Sequence, residues 1–265
     1  MKKVALITGG SSGLGLEMAR QLSAQDHDLI LLARDADRLA WAKGSIEQDN
    51  RQCRVHTIAC DVSDEAAITA AFGRIKREVE GIDFLIVNAG IATIDLLSDY
   101  ESLSEVTRNL RINLLGAVSS TYMGIPLLRP GAHVLFVSSG FGLVGAPGYS
   151  LYAAAKGGLN NFADAMRREL LPRGMQVHLA CPGDIDTPMY AGELAHMPAW
   201  IRDKMGRSKP MKVDVAARHI LKMCFRGRFR IDLSGDVMLL VFLQKLLPHR
   251  LSTLVLDRML PVPPV

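Results

Sequence analysis

The chain has 265 residues, of which 49% are hydrophobic and 22% are charged. This composition excludes a disordered chain, a collagen-like fibre and a small disulfide-stapled protein, and it leaves a globular fold with a large core. The formal net charge is +4, but residues 201–265 hold 13 Lys and Arg against 5 Asp and Glu, so residues 1–200 are net acidic.

Six short apolar runs without polar alternation predict strands that are buried on both faces of a parallel sheet. Apolar residues at helical spacing lie between them, so strands and helices alternate along the chain. We therefore predict an α/β fold, a doubly wound parallel sheet of the Rossmann type, with residues 1–265 in a single domain. The predicted strands are Val4–Ile7, Leu29–Ala33, Val55–Ala59, Phe84–Val87, Val134–Val137 and Val177–Ala180, and the first predicted helices are Leu14–Ala24, Asp37–Gln48 and Glu65–Glu80.

The amino terminus and the cysteines bear on the compartment. The apolar run at the start, Val4–Ile7, is shorter than the ~7 to 15 residues of a signal peptide core. No stretch reaches the ~18 apolar residues that a membrane span needs. The four cysteines form no CxxC motif and no Cys/His cluster, so we expect reduced thiols, no metal site and a cytoplasmic protein.

A glycine-rich turn, TGGSSGLG over residues 8–15, joins the first strand to the first helix. Glycines allow the backbone to approach a pyrophosphate, and the amides at the start of the following helix meet its charge. The same pattern also occurs in βα turns that bind nothing. The candidate cofactor residues of this turn are Gly9, Ser11, Ser12, Gly13, Leu14 and Gly15.

Three polar side chains in the second half of the chain suggest acid catalysis. Tyr152 and Lys156 lie one turn apart on a predicted helix, so the ammonium can stabilise a tyrosinate and lower the phenol pKa from its reference of ~10. Ser139 follows the fifth strand, where its hydroxyl could hold a carbonyl oxygen. Taken singly, each has an ordinary structural interpretation as a helix tyrosine, a solvated lysine or a turn serine.

The order of the motifs resembles the short-chain dehydrogenase/reductase superfamily over residues 1 to about 190. The resemblance implies an oxidoreductase in which Tyr152 protonates a carbonyl oxygen as hydride arrives, Ser139 polarises that oxygen and Lys156 also grips the nicotinamide ribose. It implies that Asn113 anchors a proton-relay water and that Asp61 contacts the adenine, although Asp61 also suits a strand-to-helix cap. The remaining cofactor contacts that it implies are Val62, Asn88, Ala89, Gly90, Pro182, Gly183 and Thr187, with Tyr152 and Lys156.

The residue after the second strand bears on the choice between the two nicotinamide cofactors. A carboxylate there would bind the adenosine ribose and repel a 2′-phosphate, whereas this chain has Arg34, whose planar fork suits a phosphate. Arg34 could instead pair with Asp35 or Asp37, and Asp35 could serve the ribose of NAD. We favour NADP(H) over NAD(H).

The region after Met189 has no predicted strand and is rich in Met and basic residues. Residues 189–212 suit a substrate lid for a hydrophobic substrate or, equally, an ordinary packed helix. Residues 235–265 form an apolar extension, of which 237–260 could lie on a membrane surface, complete the core or form an oligomer interface. We expect a homo-oligomer, and no nucleic-acid partner, because the basic residues are scattered among apolar ones.

Within the superfamily, the chain most resembles the 3-ketodihydrosphingosine (3-ketosphinganine) reductases. The stretches that carry this resemblance include residues 33–39, residues 182–188 and the apolar extension after Asp236. It implies NADPH-dependent reduction of a ketone on a lipid base at a membrane surface. The alternatives are a general carbonyl, steroid or 3-oxoacyl reductase, and a dinucleotide-binding protein without catalysis.

Overall fold

The computed structural model describes residues 2–205 and 209–263, and its centre is a sheet of seven strands. All neighbouring strands run parallel, in the order β3-β2-β1-β4-β5-β6-β9, which confirms the predicted doubly wound sheet. A separate pair, β7 and β8, is also parallel. The strands are β1 (Lys3–Thr8), β2 (His27–Ala33), β3 (Val55–Ala59), β4 (Ile82–Val87), β5 (Leu128–Val137), β6 (Gln176–Cys181), β7 (Ile185–Asp186), β8 (Met211–Lys212) and β9 (Arg230–Asp232).

Helices cover both faces of the sheet, as the continuous apolar strands require. The core on one face is formed with α3, α5 and α6, and the core on the other face with α1, α2 and α9. Asp35 and Asp64 cap α2 and α3 by accepting hydrogen bonds from backbone amides of their first turns. The helices are α1 (Gly13–Ser23), α2 (Ala36–Asp49), α3 (Glu65–Glu78), α4 (Leu103–Leu110), α5 (Gly116–Gly124), α6 (Ser150–Leu170), α7 (Pro188–His196), α8 (Ala199–Met205), α9 (Val213–Phe225), α10 (Gly235–Leu246) and α11 (His249–Met259).

The prediction that strands end before Met189 is wrong. The seventh strand, β9, pairs with β6 at the edge of the sheet. It has only three residues, and Ile231 is the buried one between Arg230 and Asp232. A strand of three residues, two of them charged, is too short to appear as an apolar run in the sequence. Its position is set by its pairing with β6.

The carboxyl extension forms two helices that pack against each other, α10 and α11. Val241 and Ser252 are buried, whereas several large apolar side chains are exposed to solvent. In the described part of the chain, no helix combines the length and the apolar character that crossing a bilayer requires. The exposed apolar side chains of the extension are Leu239, Phe242, Leu246, Leu251, Leu254, Met259 and Val262.

Candidate active site

A cavity of about 900 Å³ opens where the strand order reverses, between β1 and β4. Open α/β sheets bind ligands at this position, outside the carboxyl ends of the strands. Residues that follow β1, β2, β3, β4, β5 and β6 line the cavity, and α7 and the end of α11 contribute to its wall. The fold therefore gathers residues that are far apart in the sequence along one elongated cleft.

The glycine-rich turn lies along this cleft and is conformationally constrained. Gly9 and Gly13 have φ angles of +69° and +52°, which favour glycine. A Cβ on Gly9 would also come within 2.9 Å of Nδ2 of Asn88. Gly15 is the exception among the predicted cofactor residues, because it does not line the cavity. A Cβ there would lie 2.3 Å from the carbonyl oxygen of Gly9, so close packing of α1 against the turn requires this glycine.

Thr8 ties the glycine-rich turn to the loop after β4. Its hydroxyl oxygen accepts hydrogen bonds from the amides of Asn88 and Ala89, each at 3.0 Å. The side-chain amide of Asn88 donates in return to the carbonyl oxygens of Thr8 and Gly9, at 3.0 and 3.3 Å. Asn88, Ala89 and Gly90 line the cavity, and this network holds them beside the turn.

Ser139, Tyr152 and Lys156 come together on one side of the cavity. The helix α6 brings Nζ of Lys156 to 5.7 Å from the ring centre of Tyr152. Lys156 is 4% exposed, and its ammonium donates to the carbonyl oxygen of Val137 at 2.9 Å. The hydroxyl oxygen of Ser139 accepts from the amide of Phe141 at 3.2 Å, which fixes Ser139 at the end of β5.

Asn113 lies in a π-helical turn, Arg111–Leu115, that interrupts the path from α4 to α5. Such turns are rare and often occur at functional sites. The buried side chain of Asn113 donates to the carbonyl oxygen of Ile91 at 2.8 Å and to Asn109 at 2.7 Å, and it accepts from the amide of Ile91 at 2.9 Å. The side chain is held rigidly at the cavity wall.

The pKa of the Tyr152 phenol shifts in the opposite direction to the prediction. Burial raises the pKa of the Tyr152 phenol above its usual value, and the negative charges of Glu193 and Asp184 raise it further, while a hydrogen bond with Ser139 acts in the opposite direction. Burial also lowers the pKa of Lys156 to about 8. In this structure, burial and the two carboxylates dominate the pKa of the phenol, so Tyr152 is neutral at pH 7.

At the far end of the cavity, Arg34 is exposed and its Nη1 lies 4.0 Å from Oδ2 of Asp61. Asp35 is engaged elsewhere: it accepts from the amide of Arg38 at 3.0 Å and pairs with the Arg38 guanidinium at 3.2 Å. Burial works to raise the pKa of Asp61, but hydrogen bonds from Ser63 and the charge of Arg34 outweigh it, so the pKa lies below its usual range. This end of the cleft therefore presents guanidinium groups beside a fixed carboxylate.

The residues along the cleft fit a dinucleotide. Gly9 and Gly13 of the glycine-rich turn line the cavity, and a Cβ on Gly13 would lie in van der Waals contact with Thr187 at 3.4 Å. Thr187 caps α7 by accepting from the amide of Tyr190 at 3.3 Å. The other predicted cofactor residues that line the cavity are Ser11, Ser12, Leu14, Val62, Pro182 and Gly183.

The cavity also contains residues that the sequence did not suggest. Arg38 lines it on the same side as Arg34, and Glu193 lines it beside Tyr149. Arg38 could have been suggested by its position, because it lies in the first turn of α2, only four residues after Arg34. No local spacing links Glu193 to Tyr152, because only the tertiary fold brings α7 to α6.

A family model described as short chain dehydrogenase matches residues 3–198. The chain belongs to the short chain dehydrogenase family. Short-chain dehydrogenases are oxidoreductases that act on carbonyl and alcohol groups with a nicotinamide cofactor, which agrees with the fold and with the residues along the cleft. The match includes the glycine-rich turn, Asn113, Ser139, Tyr152 and Lys156.

Individual short-chain dehydrogenases and reductases share much of the chain. The 3-ketodihydrosphingosine reductase of Bos taurus is 31% identical over 236 residues, which are 87% of this chain and 71% of that protein. Carbonyl reductase family member 4 of Danio rerio is 30% identical over 243 residues, which are 91% of this chain and 100% of that protein. A crystal structure of a short chain dehydrogenase from Burkholderia cenocepacia in complex with NADP is 29% identical with a TM-score of 0.77, and the match covers 89% of this chain and 97% of that one.

Proposed function

We propose that this short-chain dehydrogenase reduces the ketone of a long-chain lipid base, 3-ketosphinganine, with NADPH. The observation that carries the proposal is one continuous cavity that runs from Arg34, past Tyr152, to apolar side chains at the carboxyl end of the chain. The first part suits a phosphorylated dinucleotide and the last part suits a hydrocarbon chain. The similarity to the bovine 3-ketodihydrosphingosine reductase supports the same substrate.

The preference for NADPH rests on the guanidinium groups. Arg34 and Arg38 both line the cavity after β2, where an NAD-specific site would need a free carboxylate. Asp35 occupies this region but serves as the cap of α2 and as the partner of Arg38. The Burkholderia relative binds NADP, in keeping with this preference. A charge-assisted contact with the 2′-phosphate would then select NADPH over NADH.

The chemistry follows from the residues beside Tyr152. Bound NADPH supplies the hydride that converts the ketone carbon into a carbinol carbon. The Ser139 hydroxyl donates a hydrogen bond to the ketone oxygen and polarises it, and the neutral Tyr152 phenol gives that oxygen its proton. Lys156, with a pKa of about 8, keeps its ammonium charge at pH 7 and stabilises the tyrosinate that remains. Asn113 holds a water that returns a proton to Tyr152.

The apolar end of the cavity favours a long-chain ketone over a sugar. Met197 and Ile201 pack with Tyr149 in a small core of their own, and Leu260, from the carboxyl extension, packs against it. We propose that residues 189–212, of which 206–208 lie outside the described residues, form a lid over the substrate. The side chains that make this end apolar are Phe141, Val144, Met189, Met211, Met259 and Leu260.

Steady-state rates with a series of ketones test the proposal. We expect kcat/KM for 3-ketosphinganine with NADPH to exceed that for short soluble ketones by at least about tenfold, because each buried CH₂ contributes ~0.8 kcal/mol. Product chromatography should show the 3-hydroxy base. The match to the zebrafish carbonyl reductase covers all of that protein and 91% of this chain at similar identity, so a general carbonyl reductase is the second candidate. Equal efficiency with small and long ketones would favour it.

We also propose that the carboxyl extension contacts a membrane surface from the cytoplasmic side, and that the protein forms homo-oligomers. On α10, Phe242 and Leu246 lie one turn apart and are 58% and 66% exposed. Arg250 and Arg258 lie on the following helix and suit anionic headgroups. The proposed surface, residues 237–260, includes Val237 and Lys245, whose side chains lie outside the described ones.

The double variant Phe242→Glu/Leu246→Glu should lose binding to anionic vesicles by at least about tenfold, because it places two charges where apolar side chains would enter the lipid. Cosedimentation with phosphatidylserine vesicles at low salt measures this. Leu97→Glu/Leu103→Glu is a matched control, because both leucines are exposed and lie outside the extension. Equal vesicle binding by both double variants and the wild type would exclude this surface as the contact.

A further inference from the structure

One carboxylate at the substrate end of the cavity, Glu193, forms no ion pair with any cation among the described side chains. Glu193, on α7, lines the cavity together with Tyr149 and Tyr152. The hydroxyl of Tyr149 donates to Oε2 of Glu193 at 3.4 Å. Among the side chains that the structure describes, no Lys, Arg or His lies within ion-pair distance of Glu193.

The position of Glu193 is unfavourable for the charged form of its carboxylate. Burial raises the pKa of Glu193 to about 7, the charge of Asp184 acts in the same direction, and the hydrogen bond from Tyr149 acts against both. A carboxylate withdrawn from water is unfavourable unless a cation or several hydrogen bonds compensate for it. A glutamine would accept the same hydrogen bond from Tyr149 without that cost, so the hydrogen bond alone does not account for an acid here.

Glu193 is also close to the reacting group. The ring centres of Tyr149 and Tyr152 are 6.5 Å apart, and the Tyr149 hydroxyl donates a hydrogen bond to Glu193. Its negative charge raises the pKa of the Tyr152 phenol, second only to burial. A carboxylate that acts on Tyr152 at this range also acts on a substrate whose carbonyl oxygen meets that phenol.

We propose that Glu193 determines the substrate class by pairing with an ammonium group on the carbon next to the ketone. The inference rests on the proposed function, because 3-ketosphinganine carries an amino group at that position. An amine beside a carbonyl group resembles a peptide α-amino group, with a pKa of ~7.7 to 8.0, so most of it is charged at pH 7. The ammonium would compensate the Glu193 charge and, by doing so, make Tyr152 a stronger acid.

The test compares two ketones that differ only in the amino group: 3-ketosphinganine and 1-hydroxyoctadecan-3-one. We expect Glu193→Gln to lower the ratio of their kcat/KM values, amino over des-amino, by about 10- to 100-fold, since a charge-assisted pair is lost. Glu193→Asp keeps the charge and should retain part of the ratio. Glu169→Gln makes the same change on an exposed glutamate of α6 and should keep the wild-type ratio.

The pH dependence of the same ratio separates a charged contact from a structural one. In the wild type, the ratio should rise as pH increases through about 7, where Glu193 ionises, and fall again as the substrate amine loses its proton. Glu193→Gln should lack the rise. The other ionisable side chains around the substrate end of the cavity are Asp184, Tyr149, Tyr152, Tyr190, Lys156 and Lys209.

The outcomes distinguish this inference from the proposed function. An unchanged ratio in Glu193→Gln, with 3-ketosphinganine still reduced, would overturn the role of Glu193 and leave the proposed function in place. A wild-type enzyme that reduces 1-hydroxyoctadecan-3-one faster than 3-ketosphinganine would also overturn it. A wild-type enzyme that reduces neither long-chain ketone but reduces small ones would overturn the proposed function, and the role of Glu193 with it.

Discussion

Tyr152→Phe should lower kcat for ketone reduction by about 10²- to 10⁴-fold, because the variant removes the phenol proton that the ketone oxygen needs. The ring itself stays, so its contacts with Phe141 and Tyr149 should persist. The dissociation constant for NADPH, measured by fluorescence titration, should therefore change little. The loss should appear in kcat and kcat/KM together, as expected for an interaction made only in the transition state.

Tyr122→Phe provides a matched control for this result. Tyr122 is exposed on α5 and does not line the cavity, so loss of its hydroxyl should leave kcat unchanged. Turnover of Tyr152→Phe within about threefold of the wild type would show that another group supplies the proton. In that case Ser139, whose hydroxyl lies on the same side of the cavity, would be the next donor to examine.

Arg34→Asp should reverse the preference between the two nicotinamide cofactors. The substitution removes a charge-assisted contact with the 2′-phosphate and adds a carboxylate that repels it, each effect worth about 1 to 3 kcal/mol. The ratio of kcat/KM for NADPH to that for NADH should then fall by about 30-fold or more. Because Arg34 is exposed, raising the salt concentration should weaken the wild-type preference.

Arg51→Asp makes the same change in net charge on an exposed arginine that lies outside the cavity, and it should keep the wild-type ratio. Equal ratios in Arg34→Asp and the wild type would mean that Arg34 does not read the 2′-phosphate. Arg38, which lines the cavity from the first turn of α2, would then be the next guanidinium to examine, and Arg38→Asp would be the corresponding variant.

Local patterns were enough to predict the parallel sheet and the grouping of the predicted site. The strands are buried on both faces, so their apolar runs are continuous, and a parallel sheet brings their carboxyl ends to one edge. That edge is where Ser139 and the loop at Asn88 meet the glycine-rich turn. The spacing of Tyr152 and Lys156 on α6 needed no tertiary information either, because a helix fixes it.

Features that depend on tertiary contacts were not predictable in the same way. The edge strand β9 exists only because β6 offers it a partner, and Glu193 reaches the cavity only because the tertiary fold brings α7 to Tyr149, the residue before α6. Helical spacing placed the Lys156 ammonium near Tyr152, but the pKa of the phenol depends on burial and on carboxylates from another segment. Gly15 belongs to the glycine-rich motif, but it allows α1 to pack closely against the turn and does not line the cavity.

Transfer of deuterium is the most direct test of the central claim, that this cavity reduces a lipid ketone with hydride from NADPH and a proton from Tyr152. The wild type is incubated with 3-ketosphinganine and NADPH that carries deuterium at the transferable position of its nicotinamide ring, and the product is analysed by mass spectrometry. The predicted result is one deuterium on the carbinol carbon for each NADPH oxidised, with product formation nearly abolished in Tyr152→Phe. A product without deuterium at that carbon, or NADPH oxidation without any alcohol product, would contradict the claim.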